Sequence, residues 1–272
     1  MRIAITGGSG RIGQATIKLA LAEGYTIVSM DQADPPHPEE QAGVTFLKTD
    51  LTDYAAVEQA LQGCEAVIHL GAIPSPGHLP DHIVHNNNVV GSYNVLLASA
   101  KLGIKKVCQA SSVNATGLSY SRQGTFDYFP LDENHPTYNE DPYSLSKWIC
   151  EIQGDSIARR YEDMTISSLR FSWVVDALPI ISKEDASGQV KNLWGYTLLE
   201  AAARSCIAGI KADYKGHEVF YIVAPHPTLD IPCRELAQEF YPDIPLKPGF
   251  GETQSFFDSS KAGRLLGWHH DL

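Results

Sequence analysis

No apolar run in this chain approaches the ~18–20 residues that cross a bilayer, and its longest hydrophobic stretches are of strand length. Where a secretory leader would stand, Arg2-Ile3-Ala4-Ile5-Thr6 reads as a strand, so a cytoplasmic protein with no membrane partner is expected. The five cysteines (Cys64, Cys108, Cys150, Cys206, Cys233) are odd in number, scattered, and include no Cys-x-x-Cys pair. Disulfide scaffolds and zinc frameworks both lose, and the thiols are expected to be reduced and buried. Positive charge is scarce as well: 21 Lys and Arg against 32 Asp and Glu leave a formal charge of −11. Nucleic-acid binding needs clustered cations to release counterions, so that class of partner is excluded. There is no low-complexity tract and no internal repeat.

What is present is an ordinary globular composition, 43% hydrophobic over 272 residues, enough for a full core. Short β-branched runs alternate with amphipathic stretches, the pattern of a parallel sheet covered on both faces. Strands are predicted at Arg2–Thr6, Thr26–Met30, Val44–Lys48, Ala66–Leu70, Lys105–Ala110 and Thr165–Phe171, with helices at Arg11–Glu23, Asp53–Leu61, Ile83–Lys101 and Tyr143–Tyr161. The fold class is therefore α/β, a Rossmann-type doubly wound parallel sheet over residues 1–172. Residues 173–272 read as a small substrate lobe merged with it: a polar loop at Leu178–Lys191, a helix at Leu193–Ala208, a strand at Val219–Val223 and a proline-rich stretch from Pro225 to Gly251.

The first chemistry-bearing motif is Gly7-Gly8-Ser9-Gly10-Arg11-Ile12-Gly13, placed between a strand and a helix. Glycines there allow a tight turn and bring backbone N–H groups up to a pyrophosphate at the helix N-terminus. Asp31 ends the next strand, where a carboxylate accepts the adenosine ribose hydroxyls and repels a 2′-phosphate. No arginine adjoins it, so NAD is favoured over NADP, with Arg11 the one side chain that could serve either. The plain alternatives are a glycine-rich loop without a ligand and a turn aspartate before Asp34-Pro35-Pro36.

Tyr143 and Lys147 stand four residues apart on one predicted helical face. An unperturbed Tyr titrates near ~10, so a base role near neutrality requires about 4 kcal/mol of preferential stabilisation of the phenolate, which a neighbouring Lys ammonium together with a positively charged nicotinamide could supply. Ser111-Ser112 closes a strand at the sheet's carboxyl edge, where a hydroxyl can meet a reacting oxygen or simply cap a helix. His78, His82 and His85 are broken by Pro80 and read as solvated loop residues, His69 reads as a core histidine, and no metal site is expected.

Taken together these residues resemble the extended short-chain dehydrogenase/reductase superfamily, within it the NAD-dependent epimerase/dehydratase family. Thr6–Gly13, Asp31, Asp50-Leu51, His69-Leu70-Gly71-Ala72, Asn88-Val89-Val90-Gly91-Ser92, Ser111-Ser112 to Gly117, and Tyr143 with Lys147 follow one another in that family's order. The resemblance implies Tyr143 as general acid/base, Lys147 as the group that lowers its pKa and holds the nicotinamide ribose, Ser112 as the hydroxyl that orients the substrate oxygen, and Asn88 as support. It also implies cofactor contacts at Gly7, Ser9, Gly10, Arg11, Ile12, Gly13, Asp50, Leu51, Leu70, Gly71, Ala72 and Phe171, and a homodimer through the helices after the fourth and fifth strands. Val113-Asn114 stand where the family's 4,6-dehydratases carry Asp-Glu, which argues against elimination chemistry. The nearest branch resembles the uronate and aldose dehydrogenases, although no carboxylate-binding Arg is evident and only Lys183 could replace it. The expected function is hydride transfer between NAD and a secondary alcohol or carbonyl of a small sugar-like substrate, met by Ser75, Asn114, Trp173 and Trp194. A sugar epimerase that retains its NAD and a non-catalytic dinucleotide-binding regulator are the alternatives.

Overall fold

The computed structural model describes residues 1–36, 42–179, 181–251 and 255–270. Strands β1 (Arg2–Thr6), β2 (Thr26–Asp31), β3 (Val44–Lys48), β4 (Ala66–His69), β5 (Lys106–Ser112), β6 (Thr165–Phe171) and β9 (Gly216–Ile222) form a seven-stranded sheet in the order β3-β2-β1-β4-β5-β6-β9. Every pairing in it is parallel. A parallel sheet must be covered on both faces, and β1 obeys: Ile3 and Ile5 enter one core with Ile17 and Ile207, while Ala4 enters another with Val95 and Ile157. The covering helices are α1 (Arg11–Ala22) and α5 (Leu199–Lys211) on one side, and α2 (Tyr54–Ala60), α3 (Asp81–Lys101) and α4 (Pro142–Arg160) on the other. Two of them begin where the sequence dictates: the Asp53 carboxylate accepts from the Ala55 and Ala56 N–H groups, and the Asp141 carboxylate accepts from Tyr143 and Ser144 with Pro142 next to it.

Strand order reverses between β1 and β4, which opens a crevice beyond their carboxyl ends. The register aligns those ends: Thr6 is opposite His69, Ser111 opposite Arg170, and Ser112 opposite Phe171. A third core, with Phe129, Trp194, Tyr221 and Phe256 among its largest members, fills the lobe. It takes Val113, Leu118, Phe126 and Leu131 from before residue 172, and β9 returns from beyond it to the main sheet, so the two parts share structure.

The lobe departs from expectation in four places. Leu193 and Trp194 have φ of 55° and 52°, and the chain then forms β8 (Tyr196–Leu198), so the helix expected from Leu193 begins only at Leu199. Asn192 causes this locally, because its side-chain oxygen accepts from the Trp194 N–H and turns the chain before a helix can start. A 3₁₀ helix, Lys183–Asn192, takes up most of the loop expected at Leu178–Lys191 and runs one residue beyond it. The proline-rich stretch holds α6 (Cys233–Phe240), entered from Pro232, and a further helix, α7 (Ser260–Leu266), lies near the C-terminus. Finally, β7 (Trp173–Val175) pairs in parallel with β8, and its Trp173 and Val174 line the crevice.

Candidate active site

A cleft of about 810 Å³ lies along the crevice, and the glycine turn forms its floor. Gly7 sits at φ 69°, and a Cβ on it would meet the Gly71 nitrogen at 2.7 Å. At Gly13 the obstacle is the Gly7 carbonyl oxygen, 2.2 Å away. Gly10 caps α1 without a side-chain hydrogen bond, so no side chain competes for the amides of the helix's first turn. Asp31 lines the cleft, its carboxylate accepting from the Ser9 N–H at 3.0 Å and the Ala33 N–H at 3.1 Å. Each oxygen keeps a lone pair for a ribose hydroxyl. The Ser9 hydroxyl is used to hold Ala33 and does not line the cleft. These features fit a dinucleotide: a cradle that any side chain would fill, an open helix N-terminus, and a carboxylate at the far end.

Arg11 points away from Asp31. Its guanidinium donates to the Val174 carbonyl at 3.1 Å and to the Asp176 carboxylate at 3.0 Å, spanning the cleft from the glycine turn to β7. Leu70, Gly71, Ala72, Ile12 and Phe171 line the cleft as well. Leu51 stands behind that wall, its Cδ1 only 2.6 Å from where a Gly71 Cβ would be. Asp50 is exposed, accepts from the Thr52 N–H and hydroxyl, and does not line the cleft.

At the other end of the cleft, α4 brings Tyr143 and Lys147 against the end of β5. The Tyr143 phenol is hydrogen bonded to the Ser112 hydroxyl, which favours its phenolate, but burial pushes its pKa above the ordinary tyrosine value. The Lys147 ammonium donates to the Ala110 carbonyl at 2.8 Å and lies 5.9 Å from the Tyr143 ring centre. Burial lowers its pKa, opposed by Cys150 and Glu151. Asn88 does not line the cleft: it accepts from the Ile73 N–H and donates to the Ile73 carbonyl and to Ser146 Oγ, joining the loop after β4 to α4. His69, buried beside Thr6 Oγ1 at 2.7 Å, is held neutral, its pKa lowered to about 3 by burial and by Lys147.

Of the expected substrate contacts, Asn114 and Trp173 line the cleft, whereas Ser75 is half-buried on a loop outside its lining. Trp194 is a correction: it is fully buried between Phe240 and Phe256 and donates its indole N–H to the Ala186 carbonyl at 2.9 Å. The Lys183 side chain lies outside the described ones. The cleft's far wall instead comes from Ser119, Tyr120, Gln189 and Asn192. Sequence offered no signal for Gln189 and Asn192, which lie in a polar stretch without periodicity and are placed by the turn at Leu193. A separate chain, Ser168 Oγ to His217 Nε2 at 2.6 Å and His217 Nδ1 to the half-exposed Asp155 at 2.9 Å, has the connectivity of a Ser-His-Asp triad. Ser168 is fully buried inside β6 and holds the Gln109 amide, so the chain ties α4 to β6 and β9 and performs no chemistry.

Among known proteins, the model of the NAD dependent epimerase/dehydratase family matches residues 3–205. The L-arabinose 1-dehydrogenase (NAD(P)(+)) of Haloferax volcanii is 27% identical over 195 residues, 70% of this chain and 73% of that one. The UDP-glucose 4-epimerase of Bacillus subtilis is 29% identical over 218 residues, 75% of this chain and 62% of the epimerase, so less than two thirds of that relative is spanned. A solved structure of a mutated uronate dehydrogenase superposes with a TM-score of 0.71 at 22% identity, covering 98% of this chain and 80% of that one. The chain belongs to the NAD dependent epimerase/dehydratase family, and its cofactor is NAD.

Proposed function

We propose that the protein is an oxidoreductase acting on a hydroxyl or carbonyl of a small, uncharged, sugar-like substrate. One observation carries this reading. Among the described lining residues the only cations are Arg11, paired with Asp176, and Lys147, buried on the Ala110 carbonyl, while the substrate end presents Ser112, Asn114, Ser119, Tyr120, Trp173, Gln189 and Asn192. A carboxylate or phosphate on the substrate would lose its hydration there without a counter-charge, whereas hydroxyl groups find hydroxyl and amide partners and an aromatic face.

In this assignment the glycine turn and the α1 N-terminus hold the pyrophosphate, Asp31 holds the adenosine ribose, and Leu70, Gly71, Ala72 and Phe171 form the wall beside the nicotinamide. Bound NAD supplies the hydride acceptor, and in its reduced form the donor. Ser112 donates a hydrogen bond to the substrate oxygen. Tyr143 takes the proton from that oxygen during oxidation and returns it during reduction, and Lys147 favours the phenolate by its charge. Because burial raises the Tyr143 pKa, oxidation should accelerate as pH rises. Asn88 acts through the loop it braces. Residues 1–172 hold the cofactor and 173–272 close over the substrate. The five buried, free thiols support a cytoplasmic setting. Ile83, Val90 and Tyr93 on α3 and Ile152 on α4, all more than 40% exposed, support a homodimer through those helices.

The test is a panel of neutral aldoses, uronates and nucleotide sugars, read as NADH absorbance. Neutral aldoses should give turnover, and Tyr143→Phe should lower kcat by about 10²–10⁴. Turnover confined to acids or nucleotide sugars, or intact in Tyr143→Phe, refutes the assignment. Identity with the Bacillus epimerase favours a second reading, an epimerase that retains its NAD, which would interconvert sugars without net NADH.

A further inference from the structure

Directly behind the cleft lies a buried ion pair that takes no part in the chemistry above. Arg170, on β6, donates from Nε to Glu151 Oε1 at 2.9 Å and from Nη2 to Oε2 at 2.8 Å. Both side chains are buried, 6% and 5% exposed. Glu151 Oε1 also accepts from Ser111 Oγ at 2.5 Å, and the guanidinium lies 5.1 Å above the Tyr221 ring of β9. One carboxylate on α4 thus reaches the penultimate residues of β5 and β6 together. Ser111 precedes Ser112, Arg170 precedes Phe171, and Glu151 stands one helical turn beyond Lys147, whose ammonium is tied to Ala110 on the same strand end.

Burying two charges costs solvation, and an apolar pair of similar volume generally serves stability as well or better. Stability is therefore a poor account of this pair. The planar, two-bond fork does what apolar contacts cannot: it fixes the rotation and the height of α4 relative to two strand ends. We infer that Glu151 and Arg170 are positioning residues, which set α4 against β5 and β6 so that Tyr143 and Lys147 meet Ser112 in reactive geometry. The inference rests on the catalytic roles proposed for Ser112, Tyr143 and Lys147. Glu151 and Arg170 act through those groups, since neither lines the cleft.

The experiment compares Glu151→Gln, the double variant Glu151→Met with Arg170→Met, and Tyr143→Phe, using NAD and the most active aldose of the panel. Glu151→Gln should lower kcat at least about tenfold while KM for NAD stays within about twofold, because the glycine turn and Asp31 are untouched. The double variant should match or exceed Glu151→Gln in melting temperature yet keep the low kcat. A merely structural pair gives the opposite: activity returns with stability. A double variant with wild-type kcat overturns the inference. Should both Glu151 variants fail to fold, Arg170→Lys decides, since it keeps the charge and loses the fork: reduced kcat supports the inference and wild-type kcat overturns it. Tyr143→Phe with intact turnover, or a panel without turnover, instead sinks the catalytic assignment beneath it.

Discussion

Replacing Gly13 by Ala puts a methyl group 2.2 Å from the Gly7 carbonyl oxygen and 2.8 Å from the Gly8 Cα, both backbone atoms that no rotamer change can move. To reach even the 3.0 Å floor of real Cβ contacts, the turn must open by about 0.8 Å. Backbone hydrogen bonds tolerate a donor–acceptor window of about 0.5 Å, from ~2.7 to ~3.2 Å, so at least one amide leaves hydrogen-bonding range of a bound pyrophosphate. A hydrogen bond to a charged group contributes about 1.5–3 kcal/mol, which predicts NAD binding weakened about tenfold to more than a hundredfold. Overpacking should also cost about 1–3 kcal/mol of stability. Titration calorimetry with NAD and thermal unfolding measure the two effects separately. Gly188→Ala, where a Cβ meets nothing within 4 Å, is the control and should bind NAD as the parent does. A Gly13→Ala protein that is folded and binds NAD with unchanged affinity would refute the placement of the pyrophosphate on this turn.

His69 predicts an acid-side loss of stability. The folded protein keeps the ring neutral down to about pH 3, while the unfolded chain takes up a proton near 6.5, so stability falls as pH drops between those values, by up to about 1.4 kcal/mol per pH unit. Thermal unfolding of His69→Gln should show a shallower slope over that window, and an unchanged slope would exclude His69 as the source. Trp194→Phe removes the donor to the Ala186 carbonyl and should cost about 1–3 kcal/mol in denaturant unfolding while leaving KM for substrate unchanged. A raised KM without loss of stability would return Trp194 to the substrate site.

The sheet was legible because its strands are short runs rich in β-branched and apolar residues set between helical stretches, and because Asp53, Asp141 and Pro142 mark helix starts chemically. β1, β3 and β6 match their predicted limits, and the helices differ only at their ends. In the lobe the same signals misled. Leu193 to Ala208 has helical composition, but the Asn192 side chain and the core that receives Trp194 hold the chain in a left-handed turn first. Trp194 is typical of both a sugar platform and a buried anchor, and only the surrounding Phe240 and Phe256 distinguish them.

The sequence by itself determined the glycine turn, the strand-end carboxylate of Asp31 and the shared helical face of Tyr143 and Lys147, because each depends on spacing within one or two adjacent elements. Only the tertiary structure decided which residues meet across elements: Asn88 as a brace to Ile73 and Ser146, Arg11 on Asp176, and Glu151 joined to Ser111 and Arg170. Those partners lie far apart in the chain and have no periodicity to betray them. Their pairing follows from the strand order and register, which bring β5, β6 and α4 to one edge of the sheet.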